Sequence, residues 1–380
     1  MSPTSPARRV GRGRVLVALS FVVALGAGFT VGCGDAPDTP PPPLGSMPGP
    51  RVTSLPGDCR QTVSRPDQVA ALGQAKPGDT VCFTGAGLAG LTLRMDVAGT
   101  AEQPISLIAD GALVRSIDIS TDHVTVAGFT VADGDGLNLE GTGLVARDNV
   151  IRNAADDGIV CSDCRDALVE SNTVWRTDGT GIVMDGDRGV VRDNIVSESV
   201  MREGGDADGI RFFGTGLRLT ENTIRDIKTT GYAADEAPHT DCFQTYESES
   251  RPTYDVLIAN NVCENVDVHC LIATGKEDVR SPGLPSGVVA ISFEGNICTV
   301  YGSQAVLLED FPNVVVRNNT FTGPMYRAIF LTRGSIGCTV VGNTVVRNTG
   351  AGNTVTGELP VFEIDDESRP GFHAENNTSR

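Results

Sequence analysis

Positive charge is scarce in this sequence. Of 380 residues only three are lysine, and 30 basic side chains face 48 acidic ones, for a net charge of −18. Four of the arginines, Arg8, Arg9, Arg12 and Arg14, crowd into the first 32 residues, so the rest of the chain is more acidic still. A surface of that sign repels phosphate backbones and excludes nucleic-acid binding through basic patches. Good helix formers are also thin: the chain carries 45 glycines and is rich in Val, Thr, Asn and Asp, a poor composition for a helical bundle. At 40% hydrophobic it is equally unsuited to disorder. No apolar run is long enough to make a strong membrane span; the best, Val15 to Val31, is broken by Gly26, Gly28 and Thr30. A second Cys-x-x-Cys is missing, so Cys161-Ser162-Asp163-Cys164 is either a small loop disulfide or a metal half-site that cannot complete zinc. What remains is one large all-β domain, a class that often runs past about 250 residues.

The front of the chain reads as an address. The arginine-rich start and the apolar run end in Thr30-Val31-Gly32-Cys33-Gly34, which resembles the lipobox of bacterial lipoproteins. The resemblance implies a signal peptide over 1–32, lipid on Cys33, and a protein held outside the cytoplasm in the bacterial cell envelope or secreted. Asp35 to Pro50 is Pro-rich, a semi-rigid tether within 33–58, and the folded domain is expected over 59–380.

The body is a repeat. A unit apolar-x-x-Asn-x-apolar recurs at Asn149, Asn172, Asn194, Asn222, Asn261, Asn296, Asn319, Asn343 and Asn377. Between its copies lies a second unit, whose opening residues are Asp135, Asp157, Thr180, Asp208, Asp241, His269, Gln304 and Arg327. Both show period-2 apolar alternation with β-branched residues, so both are strands with one buried face, and a period of about 21–24 residues is that of a solenoid. These residues resemble the right-handed parallel β-helix of the pectate-lyase-like superfamily, over roughly 80–377. The resemblance implies a single right-handed parallel β-helix, with Pro66 to Ala75 as a short amphipathic helix capping its open core. The repeated Asn is structural, a ladder of stacked amides satisfying turn backbone.

The register also sorts the cysteines. Cys242 and Cys270 share one column on successive coils, Cys263 and Cys298 another, and coils stack about 4.8 Å apart, within reach of a disulfide. The expected bridges are therefore Cys242–Cys270 and Cys263–Cys298, with Cys59–Cys82 tying the cap to the first coil and Cys161–Cys164 local. Cys338 is left over, buried and inert, and four bridges suit an oxidising compartment.

Insertions mark the centre of the solenoid. Eight positions separate most ladder Asn residues from the next opening residue, but 14 separate Asn194 from Asp208 and 19 separate Asn222 from Asp241. Longer segments also follow Asp241 and His269, giving loops 197–207, 226–240, 246–253 and 276–287 around three coils, the pattern of a cleft walled by functional loops. The three coils open Asp206-Ala207-Asp208, His239-Thr240-Asp241 and Asp267-Val268-His269. That order is similar to the active site of polygalacturonase-type β-helix hydrolases, which implies glycoside hydrolysis of a polysaccharide with Asp208, Asp241 and His269 as the catalytic cluster. Stacked carboxylates repel, so one becomes an acid and the other a base, with His269 and His239 tuning them. Asp135 and Asp157 share the column without the loops and are turn residues. Arg211 and Gln244, three past their opening residues, face outward over the cleft, joined by Lys276, Lys228, Tyr246 and Tyr232 as substrate contacts.

Two other readings use the same cleft. A uronate lyase would hold Ca²⁺ on Asp206, Asp208 and Asp241 and remove a proton with Lys228, Lys276, His239 or Tyr246. A lipid-anchored adhesive solenoid would only bind glycan. In each the partner is a polysaccharide, the membrane is met through the lipid alone, and the protein is a monomer.

Overall fold

The computed structural model describes residues 54–202, 205–233, 235–247, 251–275, 287–347 and 359–380. The signal peptide, Cys33, most of the tether, Lys276 and most of the loop 276–287 lie outside the described residues.

From Val145 onward each coil has three strands rather than the two read from the sequence, while the first coils have two. The opening strands, among them Ile182–Asp187, Ile210–Thr215, Asp241–Tyr246 and His269–Thr274, stack in parallel along one wall. A second wall of 13 parallel strands runs from Gln61–Val63 to His373–Glu375. The third wall carries the strands after each ladder Asn, such as Thr223–Arg225, Val262–Val266 and Ile297–Val300. The Asn unit therefore straddles a corner. The residue before every ladder Asn takes a left-handed conformation, with φ of 55° at Asp193, 59° at Glu221 and 57° at Asn260. That turn frees an N–H, and the Asn of the following coil accepts it: Asn194 N–H donates to Asn222 Oδ1 at 3.1 Å, and Asn222 N–H to Asn261 Oδ1 at 2.8 Å. The ladder runs unbroken from Asn149 to Asn377.

Inward-facing apolar residues fill the bore, with Phe83, Phe129, Phe212, Phe243, Phe293 and Phe321 fully buried, each contributing about 2–3 kcal/mol of burial. The cap is a 3₁₀ helix, Pro66–Gln74, started by Pro at its first turn and by Gln68 Oε1 accepting the N–H groups of Ser64 and Arg65. Its Leu72 is buried against the first coil.

Cys59–Cys82 and Cys161–Cys164 are both bridges, so the Cys-x-x-Cys is a local disulfide. The other two pairings differ from expectation. The bonds are Cys242–Cys263 and Cys270–Cys298, each within one coil, not Cys242–Cys270 and Cys263–Cys298 between coils. The columns are shared as expected, since Cys263 pairs with Cys298 in register, but stacked side chains run parallel rather than toward each other. Across a coil they converge. In the preceding coils the same two positions hold a glycine and a branched residue, and a Cβ on Gly209 would lie 2.6 Å from Ile224 Cγ2. Cys242–Cys263 replaces that contact with a bond. Cys338 is free and fully buried, and burial pushes its thiol up to about 11.

Candidate active site

The opening column forms a second ladder, made of acids and a histidine. Asp208 Oδ1 accepts the Asp241 N–H at 3.1 Å, and Asp241 Oδ1 accepts both the His269 N–H at 3.1 Å and the ring Nδ1 at 2.8 Å. Gln304, the next residue in the column, reaches His269 Nε2 at 3.0 Å. Ser303 donates its hydroxyl to Gln304 Oε1 at 2.5 Å, which turns the amide NH₂ toward the ring. His269 Nε2 is then the acceptor, and Nδ1–H donates to Asp241 Oδ1. One oxygen of this chain, Asp241 Oδ2, is buried without a partner.

Arg211 stands in front of the column. The parallel register of Ile210 with Phe243 sets Arg211 beside Gln244, one coil on. The guanidinium donates to Asp208 Oδ2 at 2.6 Å, to Gln244 Oε1 at 2.7 Å and to Asp206 Oδ2 at 3.5 Å, while Gln244 Nε2 donates to Asp206 Oδ2 at 3.2 Å. Tyr246 closes one side, its ring 5.8 Å from the guanidinium carbon and 4.9 Å from the Phe213 ring. Complete burial drives the Asp208 carboxyl well above the usual carboxylate range, helped by Asp241 and Asp206 and opposed by Arg211. Arg211 is itself held charged, raised by Asp208 and its other acidic neighbours against the cost of burial.

The structure thus brings together Asp206, Asp208, Asp241, His269, Arg211, Gln244 and Tyr246. It also seals two of them: Asp208 and Asp241 are 0% exposed, whereas the Asp206 side chain is 32% exposed. His239 is half-buried on the neighbouring turn, its carbonyl accepting the Ala207 N–H at 2.9 Å. Lys228 is engaged elsewhere, its ammonium 2.6 Å from Asn265 Oδ1, 2.8 Å from Asp267 Oδ1 and 4.6 Å from the Tyr301 ring. Tyr232 serves the loop rather than a ligand, its hydroxyl accepting the Met201 N–H at 2.8 Å.

The calcium arrangement expected of Asp206, Asp208 and Asp241 is not formed. A guanidinium sits among the oxygens where the ion would be, and Asp241 turns its Oδ1 to His269 instead. Among the described residues no three His, Cys, Asp or Glu side chains converge as a metal site. The residues present therefore do not fit the ion.

Two participants have no role in the sequence reading. Gln304 was visible in the opening column, and its place after His269 is the signal. Arg251 was not, because it lies in an inserted loop with no register. It reaches back to Asp163 at 2.6 Å, Asp185 at 2.8 Å and Asp187 at 3.0 Å, tying the residues just before Val256–Ala259 to earlier coils. Burial raises Asp185 despite that contact.

The profile of right-handed β-helix regions matches residues 110–242. The fold is a right-handed parallel β-helix. A solved structure shares it. The tailspike protein of E. coli bacteriophage HK620, in complex with a pentasaccharide, superposes with a TM-score of 0.52 at 12% identity over 83% of this chain, which spans 61% of the tailspike chain. An alginate lyase from Paenibacillus sp. str. FPU-7 gives 0.44 at 15% identity over 84% of this chain and 99% of that one. A mannuronic-acid-specific polysaccharide family 6 lyase from human gut microbiota gives 0.48 at 12%, covering 82% and 84%. No curated protein matches the sequence. At 12% identity the likeness to the tailspike is one of fold.

Proposed function

We propose that this chain is an extracytoplasmic protein, lipid-anchored through Cys33, that cleaves a polysaccharide by acid–base hydrolysis in the cleft over the coils opened by Asp208, Asp241 and His269. The observation that carries the reading is the gathering of Asp206, Asp208, Asp241 and His269 around Arg211, with Asp208 buried and held above the usual carboxylate range. Hydrolysis requires a carboxyl that gives a proton to the leaving oxygen and takes one from the attacking water. Asp206, the exposed member, meets the glycosidic oxygen, protonates it as the C–O bond breaks, and takes a proton back from the water that adds to the sugar carbon. Asp208 lies sealed behind it, bridged to it by Arg211. Asp241, His269 and Gln304 hold the turn in place behind them, and Tyr246 offers a ring edge to the sugar. A tailspike of the same fold in complex with a pentasaccharide supports a glycan as the ligand.

Purified protein on a panel of acidic and neutral glycans, with and without chelator, should release reducing ends without the double bond that elimination leaves. Asp206→Asn should cut the rate by about 10²-fold or more, the scale of general acid–base work. Asp135→Asn, in the same column without the loops, should leave it unchanged. If the two variants behave alike on a cleaved substrate, the site lies elsewhere; binding without cleavage throughout would make this a glycan-binding solenoid. For the anchor, Cys33→Ser should move the expressed protein from the membrane fraction to the soluble one, and retention in the membrane would refute lipidation.

A further inference from the structure

We infer that Arg211 is a resident cation: it takes the place of a divalent metal ion between Asp206, Asp208 and Gln244, so the cleft works without metal and its oxygens accept a metal only when Arg211 is removed. The inference deepens the reading above, sharing its residues but not its test.

Three oxygens from two coils converge on the guanidinium, Asp208 Oδ2 at 2.6 Å, Gln244 Oε1 at 2.7 Å and Asp206 Oδ2 at 3.5 Å. Carboxyl and amide oxygens are the ligands that calcium takes, and Asp206, Asp208 and Gln244 together match a weak calcium site once the ion displaces the proton that burial favours on Asp208. A second, separate feature points the same way. Asp241 is fully buried one coil on, its N–H on Asp208 Oδ1, and its Oδ2 has no partner. One more hard oxygen is therefore stored beside the cluster. Without Arg211 the oxygens of Asp206 and Asp208 would lose their shared cation, and a divalent ion can fill the gap in competition with a proton. The fold repeats the device outside the column, where Arg251 takes Asp163, Asp185 and Asp187. A covalently attached cation cannot be chelated away and leaves no coordination position open, which separates this cleft chemically from one that depends on calcium.

The test needs no glycan. Wild type, Asp208→Asn, Arg211→Met, Arg211→Lys and Arg211→Met/Asp208→Asn are titrated with terbium, read by luminescence, and with calcium chloride, read by thermal unfolding. Wild type and Arg211→Lys should show no saturable site and no rise in Tm. Arg211→Met should gain a site half-saturated at about 10⁻⁴–10⁻³ M calcium, the range of weak extracellular sites, with a calcium-dependent rise in Tm. The double variant should lose it. Saturable binding to wild type that disappears in Asp208→Asn would overturn the inference, as would an Arg211→Met protein that gains nothing. If Arg211→Met folds only with calcium present, the inference stands; if calcium does not rescue it, the inference fails. Failure to cleave any glycan would sink the function proposed above and leave this measurement intact.

Discussion

Two side-chain ladders run along the solenoid, and residue chemistry decides what each can do. The Asn ladder is neutral at every pH that matters, so its members serve as backbone caps and nothing else. The opening ladder caps backbone too, but with groups that titrate. Asp157 shows the structural end of that range: its Oδ1 accepts the Thr180 N–H at 2.6 Å, far from the inserted loops in sequence. Burial pushes its carboxyl up to about 6, against the pull of the Thr180 N–H and Arg211. The folded chain therefore keeps this proton to higher pH than the unfolded chain, whose carboxyl has the ordinary value of 3.8. Stability tied to the protonated form is complete below about pH 4 and is lost as pH rises through about 6. Asp157→Asn keeps an oxygen for Thr180 and removes the titration. Near pH 7 it should be more stable than wild type by roughly 1–3 kcal/mol, the upper end being a two-unit shift without allowance for partial exposure. Denaturant unfolding at pH 7 and pH 4 checks this, since the gain should vanish at the lower pH. An equal gain at both would mean that the carboxyl does not titrate as described.

At the scale of the coil, the sequence discloses columns more readily than walls. Period-2 alternation and the recurring Asn revealed which residues stack, and the structure stacks them, Asp241 opposite His269 and Cys263 opposite Cys298. Alternation says nothing about which columns meet across the bore, and the disulfides depend on that. The clue was present all the same: Gly158, Gly181 and Gly209 stand where Cys242 stands, facing Val174, Val196 and Ile224 within their own coils. The strand before each ladder Asn was hidden for another reason. It is only three or four residues long and runs straight into the left-handed corner, so the two strands read as one unit. The cluster itself was legible, because Asp208, Asp241 and His269 share a column flanked by insertions. Its exposure was not. Whether an outward carboxylate is open or sealed depends on how loops pack, and loop packing leaves no periodic signature. That is why Asp206, assigned in the sequence only to a calcium ion, emerges as the accessible acid while Asp208 and Asp241 lie behind it.

The solenoid is a stack in which each coil touches its neighbours, so disturbances should spread along it rather than everywhere at once. Its N-terminal end and its middle are secured differently. At the N-terminal end the 3₁₀ helix Pro66–Gln74 lays Leu72 on the core, and Cys59–Cys82 ties the segment before it to the strand Thr80–Phe83. In the middle, Cys242–Cys263 and Cys270–Cys298 each close one coil on itself, at the coils that carry the proposed cleft. A bond within a coil fixes that coil's cross-section without linking it to the next, so rigidity is placed where the cluster needs its geometry held and the neighbours stay independent. Leu72→Ala should therefore act locally. Removing a buried leucine costs about 2–5 kcal/mol, drawn here from the opening free energy of the first coils. Hydrogen exchange followed by mass spectrometry should show faster exchange in peptides from the strands Thr80–Phe83, Leu88–Met95 and Ile105–Ala109. Peptides from Asp241–Tyr246 and Val262–Val266 should exchange as in wild type, because several intact coil interfaces separate them from the lesion and a disulfide closes their own coil. Loss of protection at both places to the same degree would mean that the solenoid opens only as a single unit, and the cap would then stabilise the cleft directly.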